Sequence, residues 1–125
     1  MSKKVIYSDQ SPEPIGPYSQ AIAHGNILFV SGQIALHRAG NLITNNIEQE
    51  TEQVMANLKE ILKANGMDFS HVVKTSIFLK DMNNFPRVNE TYGKYFSSAP
   101  PARETVEVSR LPKDVNVEIS CIAIK

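Results

Sequence analysis

The sequence predicts an α+β domain in which two helices cover one face of a sheet of about six strands. Two segments place apolar residues at helical spacing, and several shorter ones alternate apolar and polar residues as strands do. Gly, Pro and Asn cluster between these segments, where turns are expected. With 125 residues the chain can bury one hydrophobic core, so we expect residues 1–125 to form a single domain.

The charge balance and the cysteine content exclude several classes of function. Thirteen basic and thirteen acidic residues give a net charge of zero, which argues against nucleic acid or a membrane surface as a partner. A single cysteine, Cys121, excludes an internal disulfide, and no secretory or long apolar segment is visible, so we expect a cytoplasmic protein. The three histidines lack ligand-like spacing, so no metal site is predicted. The sequence also has no Gly-rich loop of the kind that binds phosphate.

Three strands are predicted near the N-terminus. Residues 3–7 form a short edge strand with lysines that discourage further pairing. Residues 19–23 and 27–31 are two apolar runs separated by His24-Gly25-Asn26, a sequence typical of a hairpin turn.

Two features beside these strands are possible ligand contacts. Three prolines in residues 11–18 exclude helix, so this segment is a loop that holds Tyr18 either over a ligand or against the edge of the core. Ser31-Gly32 ends the third strand, where glycine lets the backbone approach a ligand. The pattern alone favours a bulge or a strand end at Ser31-Gly32.

Two helices and a central strand follow. Residues 46–66 have Asn45 or Asn46 as a cap, early glutamates, late lysines and one apolar stripe, which together predict a helix. Residues 71–80 predict a central strand with Val73, Thr75, Ile77 and Leu79 on one face. A second helix extends to about Phe96, and its Asn89 could bind a ligand or, more commonly, a neighbouring backbone group.

The last quarter of the chain predicts two strands joined as a hairpin. Residues 100–108 and 115–125 alternate apolar and polar side chains, and turn-forming residues lie between them. Pairing Val108 with Val115 sets Glu118 opposite Thr105. One polar face then holds Arg103, Thr105, Glu118 and Ser120. The alternation alone favours an ordinary solvated face over a functional one.

Motifs along the whole chain resemble the RidA (YjgF) family. The C-terminal ones are Pro101-Ala102-Arg103, Leu111-Pro112 and Val117-Glu118-Ile119. The earlier ones are Gly16-Pro17-Tyr18-Ser19-Gln20-Ala21, Val30-Ser31-Gly32-Gln33-Ile34 and Val88-Asn89-Glu90-Thr91-Tyr92. The resemblance implies a chorismate-mutase-like fold and a homotrimer whose sheets form a central barrel, with ligand clefts between subunits.

The resemblance also implies an activity. Members of the family hydrolyse reactive 2-enamine and 2-imine acids, such as 2-aminoacrylate and 2-aminocrotonate, to 2-keto acids and ammonia without a cofactor. The implied enzyme is a 2-iminobutanoate/2-iminopropanoate deaminase. Its substrates come from pyridoxal-phosphate-dependent serine/threonine dehydratases, which implies a functional link to those enzymes.

Site residues follow from the resemblance, position by position. Arg103 would bind the substrate carboxylate and Glu118 would position or deprotonate a water molecule. The substrate cleft would be lined by Tyr18, Ser31, Gly32, Asn89 and Thr105. An intersubunit cleft would combine Arg103 of one chain with Tyr18 or Asn89 of its neighbour.

The sequence departs from the family at one site position, and it is compatible with two alternative functions. Thr105 stands where many relatives have cysteine, which excludes a thiol mechanism. The same arginine would serve a small-carboxylate-binding or regulatory module without turnover. A translation-linked endoribonuclease is less favoured, because the net charge is zero.

Overall fold

The computed structural model, which describes residues 2–125, shows a six-stranded sheet with two α-helices packed on one face. The strands are β1 Lys4–Ile6, β2 Ala21–His24, β3 Ile27–Gln33, β4 Val72–Leu79, β5 Ala102–Glu107 and β6 Val117–Ile124. The helices are α1 Ile47–Ala64 and α2 Phe85–Gly93. Their order across the sheet is β1-β2-β3-β6-β4-β5. The predicted α+β class and layer arrangement are confirmed.

Helix α1 forms where its local signals place it. The Asn46 side chain accepts a hydrogen bond from the Gln49 N–H at 2.8 Å, which satisfies one of the helix's unpaired amide groups. Its apolar stripe, including Val54, Met55 and Leu58, is fully buried against the sheet. Neither helix in residues 2–125 has both the length and the apolar character that crossing a membrane requires.

Helix α2 is shorter than predicted. It ends at Gly93, and tight turns take the chain on to Phe96 instead of further α-helix. Pro86 lies in the first turn, where proline is tolerated because it lacks only an N–H that has no helical partner there.

The N-terminal strands confirm the predicted hairpin and edge strand. Among the described strands β1 pairs only with β2, and β2 pairs antiparallel with β3 through a turn in which Gly25 has a φ of 59°. The register between β3 and β6 shifts between Val30 and Gln33, so a bulge lies at Ser31-Gly32.

The central strand β4 differs from the prediction at its start. A register shift between Val72 and Lys74 leaves Val73 43% exposed, while Val72 is buried. The prediction that Val73 shares a face with Thr75, Ile77 and Leu79 is therefore wrong. Thr75, Ile77 and Leu79 do face the helices and are buried.

The predicted C-terminal hairpin is also wrong. β5 pairs in parallel with β4, and β6 pairs antiparallel with the other edge of β4, so β4 separates the two strands expected to be partners. Val108 donates its N–H to Leu79 O at 2.8 Å and does not face Val115. The connecting segment contains Leu111 and Val115, which are 7% and 1% exposed. Crossing the end of the sheet buries these two side chains, and an exposed hairpin loop would leave them in water.

The two faces of the sheet have different surroundings. On β6, Val117, Ile119, Cys121 and Ala123 point toward the helices and are buried. Since side chains alternate along a strand, Glu118, Ser120 and Ile122 point to the opposite face, which no helix within residues 2–125 covers. This open face also exposes Phe29, Val106 and Ile124. The two helices therefore cover only one face of the sheet, as predicted.

Candidate active site

Arg103 lies on the helix side of the sheet, at the edge strand β5. Its guanidinium donates a hydrogen bond to Asn89 Oδ1 at 2.8 Å. The carbon at its centre lies 5.1 Å from the ring centroid of Tyr92 and 5.6 Å from that of Phe85. All three partners belong to α2, where spacings of four and three residues put them on one side of the helix. Cation–π contact and one hydrogen bond thus orient a planar cation that keeps donors for a ligand.

The partners of Arg103 are themselves held in place. Tyr92 is 4% exposed, and its hydroxyl lies 2.7 Å from Thr75 Oγ1 on β4. Burial raises the pKa of Tyr92, so the hydroxyl stays neutral. Asn89, Tyr92 and Arg103 border an open cavity of about 480 Å³ together with Pro100 and Pro101. The structure therefore presents a fixed guanidinium at the edge of a shallow concavity.

Thr105 follows Arg103 on the same side of β5. Its backbone pairs with Ile77 of β4, and its hydroxyl is buried without a hydrogen-bond partner within residues 2–125. A buried hydroxyl without a partner costs free energy, which an incoming polar group would recover.

Glu118 lies on the open face of β6, opposite Phe78 of β4. It is half-buried, and desolvation raises the pKa of its carboxyl group. A carboxyl group in this setting exchanges protons closer to neutral pH than an ordinary glutamate does.

The carboxyl group of Glu118 lies directly against the backbone of Gly32. A Cβ atom added to Gly32 would meet Glu118 Oε2 at 2.6 Å and Cδ at 2.8 Å, distances that real contacts do not reach. Glycine at the bulge therefore makes room for the carboxylate. Ser31 is anchored beside it, since its hydroxyl donates to Ser19 O at 2.6 Å.

Glu118 opens onto a cavity of about 620 Å³. The polar residues of its lining are Glu13, Tyr18, Gln20, Ser31, Gln33, Lys113 and Glu118. The remaining lining is Pro12, Pro14, Ile15, Gly32, Ile34, Leu36 and Pro112. Tyr18, Ser31, Gly32 and Glu118, which the sequence predicted as site residues, are therefore neighbours.

The loop that bears Tyr18 is held by a buried glutamine. Gln20 is 2% exposed; its amide oxygen accepts from Ser8 N at 2.7 Å, and its amide nitrogen donates to Pro12 O at 2.9 Å. Ser11, with no exposure, donates to Asn57 O on α1 at 2.9 Å. At the tip, the Tyr18 hydroxyl accepts from Ile15 N at 3.2 Å. The loop is thus a fixed wall of the cavity, with half of Tyr18 exposed.

The predicted site residues do not share one face of one chain. Arg103, Thr105 and Asn89 lie on the helix side, whereas Glu118 and Ser120 lie on the open side. The prediction that Glu118 is opposite Thr105 is wrong, because β4 separates their strands. The idea that Asn89 joins Arg103 from a neighbouring chain also fails, because the two side chains bond within one chain.

Three contributors were missed by the sequence reasoning. Phe85 and Tyr92 lie at helical spacing on either side of Asn89, which could have marked them as a platform for a cation. Gln20 had a weaker signal, an amide inside an otherwise apolar strand start. Tertiary structure alone shows what each of them contacts.

Comparison with known proteins gives consistent matches over nearly the whole chain. The sequence profile of the family described as Endoribonuclease L-PSP matches residues 8–125. A RutC family protein from Pyrococcus horikoshii is 50% identical over 124 residues, which cover 98% of each chain. A 2-iminobutanoate/2-iminopropanoate deaminase from Dermatophagoides farinae is 42% identical over 123 residues, 98% of this chain and 96% of that protein. The crystal structure of the Escherichia coli YjgF gene product has a TM-score of 0.93 at 40% identity, with 98% of each chain covered.

The fold and the matched structure place this chain among the small α+β proteins of the YjgF type. It belongs to the family described as Endoribonuclease L-PSP, and its relatives include RutC family proteins and a protein named as a 2-iminobutanoate/2-iminopropanoate deaminase. The resemblance to RidA (YjgF) drawn from the sequence motifs is confirmed.

Proposed function

We propose that this protein hydrolyses reactive 2-enamine and 2-imine acids, such as 2-aminoacrylate and 2-aminocrotonate, to 2-keto acids and ammonia. The observation on which the proposal rests is the Arg103 guanidinium, oriented by Asn89 and two aromatic rings. A planar fork of donors fits a carboxylate, which all these substrates share. A relative at 42% identity has a name that states this activity.

Glu118 supplies the proton transfers in this scheme. The carboxylate takes a proton from water as the water oxygen attacks C2 of the protonated imine, giving a tetrahedral carbinolamine. Glu118 returns the proton to the nitrogen and the C–N bond breaks. As the keto group forms, the regenerated Glu118 carboxylate takes the proton of the C2 hydroxyl and passes it to the departing ammonia. Ammonia leaves, and no cofactor or redox partner takes part. The raised pKa of Glu118 fits a group that must both accept and donate a proton near neutral pH.

The two groups must come from different chains, because Arg103 and Glu118 lie on opposite faces of one sheet. We therefore propose a homotrimer in which the open sheet faces form a central barrel and each cleft joins two subunits. Arg103, Asn89 and Thr105 come from one chain. Tyr18, Ser31, Gly32 and Glu118 come from its neighbour. The exposed apolar residues of the open face, among them Phe29, support burial against other copies.

The cellular setting follows from this chemistry. Pyridoxal-phosphate-dependent serine/threonine dehydratases release such imines, so we propose that the protein works in the cytoplasm downstream of them. Nucleic acid is not part of the proposal, because the net charge of the chain is zero.

The test is intersubunit complementation. Arg103→Ala and Glu118→Gln chains alone should each be far slower than wild type in an assay of ammonia release from 2-aminoacrylate generated in situ. After co-refolding in equal amounts, about a quarter of the clefts should combine an intact Arg103 with an intact Glu118, and a corresponding share of activity should return. No recovery, with mixed oligomers shown by mass spectrometry, contradicts a shared site. A wild type that binds 2-ketobutyrate in calorimetry but speeds no ammonia release would instead be a carboxylate-binding module.

A further inference from the structure

Glu50 on α1 is a fully buried carboxylate that the proposed chemistry does not use. It has no exposed area, and both of its oxygens bond to one residue of a distant segment. Glu50 Oε2 accepts from the Asn116 backbone N–H at 2.7 Å, and Oε1 accepts from Asn116 Nδ2 at 2.8 Å. We call this pair of hydrogen bonds the Glu50–Asn116 latch.

Stability alone is a poor reason to keep such a group. Taking a carboxylate out of water is costly, and apolar residues of similar volume often serve a core as well or better. The position of Glu50 near the N-terminus of α1 offsets part of this cost through the helix dipole. What the carboxylate adds, and an apolar side chain lacks, is a directed contact with the backbone of another segment.

The segment held by the latch borders the proposed site on both sides of Asn116. Before it, Pro112 and Lys113 line the cavity, and two residues after it comes Glu118. Asn116 O accepts a further hydrogen bond from Lys80 N at 3.0 Å, so the residue is anchored to both α1 and the end of β4.

This segment needs an external anchor because its own backbone is strained. Lys113 and Asp114 both have a φ of 56°, in the left-handed region that residues with a Cβ avoid. Such conformations persist where the surroundings hold them, and they are frequent near functional sites.

We propose that Glu50 is a positioning residue: through the Glu50–Asn116 latch it sets the start of β6 and thereby the place of the Glu118 carboxyl group. The inference rests on the proposed function of Glu118. Arg103 is held instead by Asn89 and Tyr92 of α2, and neither of these contacts involves Glu50 or Asn116. The latch therefore controls turnover and leaves carboxylate binding unchanged.

The test exchanges the two partners. In Asn116→Asp two carboxylates face each other, so the segment should shift and kcat should fall about tenfold or more. Adding Glu50→Gln restores both bonds, because the glutamine oxygen accepts from the backbone N–H and its nitrogen donates to the new carboxylate. The double variant should recover kcat to within about threefold of wild type. Glu48→Gln is the matched control: it lies on the same helix and loses a bond to Arg87 but has no contact with the segment, so kcat should not change.

Two further measurements separate positioning from general stability. The Kd for 2-ketobutyrate should stay within about twofold of wild type in all these variants, since Arg103 is undisturbed. The carbon-13 shift of the Glu118 carboxyl group should change in Asn116→Asp, return in the double variant, and not change in Glu48→Gln. This readout tests the latch even if the wild type shows no turnover, which would refute the proposed function by itself.

Two results would overturn the inference. One is a folded Asn116→Asp variant in which the carbon-13 shift of the Glu118 carboxyl group does not change. The other is a double variant in which neither kcat nor that carbon-13 shift returns toward the wild-type value. If Asn116→Asp does not fold, Asn116→Ala takes its place, since it keeps the backbone bond and loses only the side-chain bond. It should lower kcat about threefold with an unchanged Kd. An unchanged kcat and carboxyl shift in that variant overturn the inference as well.

Discussion

Replacing Gly32 by alanine should separate activity from stability in this protein. The new methyl group would stand 2.6 Å from Glu118 Oε2, and an ordinary contact begins near 3.4 Å, so the oxygen must retreat by about 0.8 Å. The obstructing atoms are the end of a flexible side chain, which can rotate away without moving the strand. Gly32 does not have a positive φ, so alanine fits its backbone conformation.

The expected magnitudes follow from this geometry. A displacement near 1 Å of a group that takes part in proton transfer lowers the rate by about 100-fold. The free energy of unfolding should change by less than about 1 kcal/mol, because alanine reduces the entropy of the unfolded chain while the displaced carboxylate gains access to water.

The assay compares kcat/KM for ammonia release with denaturant unfolding of the same preparations. Glu118→Gln is the control, since it leaves the side chain in place and removes the base. Adding Gly32→Ala to Glu118→Gln should lower activity little further, because both changes act through one carboxylate. A Gly32→Ala protein with more than half of wild-type activity would show that turnover does not need Glu118 where the structure places it.

Three other predictions follow from the site. Arg103→Lys and Arg103→Ala should each lose most of the affinity for 2-ketobutyrate in calorimetry, since a lysine ammonium lacks the planar fork of donors of a guanidinium. Removal of the contact between Arg103 and the ligand carboxylate costs about 2–5 kcal/mol of binding free energy. Near-normal affinity in either variant would refute the assignment of Arg103 to carboxylate binding. Glu118 must be deprotonated to act as a base, and burial raises its pKa. As the pH is lowered, kcat/KM should therefore begin to fall at a pH above the usual pKa range of glutamate. A fall that begins only at or below that range would contradict the role of Glu118. Burial raises the pKa of the Cys121 thiol to about 12, so a thiol reagent at pH 8 should label the native protein only after denaturant is added, and rapid labelling of folded protein would disagree.

Local signals in the sequence were sufficient for the elements that depend on near neighbours. The Asn46 cap, the apolar stripe of α1 and Pro86 in the first turn of α2 are properties of short segments, and the structure confirms each. The bulge at Ser31-Gly32 likewise follows from a glycine at the end of an apolar run.

The site residues came from motifs, and their grouping did not. The motifs indicated Arg103 and Glu118 as site residues. The prediction that both lie on one face was wrong because it rested on the assumption that consecutive strands pair. Alternation determines which side chains share a face of one strand, and it carries no information about the partner strand. The structure puts Glu118 with Gly32 and Tyr18, and Arg103 with α2.

The sequence by itself determined the family, the starts of the two helices and the N-terminal hairpin turn, and it named the candidate site residues. Tertiary structure alone decided that β4 lies between β5 and β6, because burial of Leu111 and Val115 depends on contacts distant in the chain. That one pairing sends Arg103 and Glu118 to opposite faces. The Glu50–Asn116 latch joins residues 66 positions apart, and no local pattern indicates such a contact. Long-range packing brings these two residues together, because the free energy of burial is summed over the whole core.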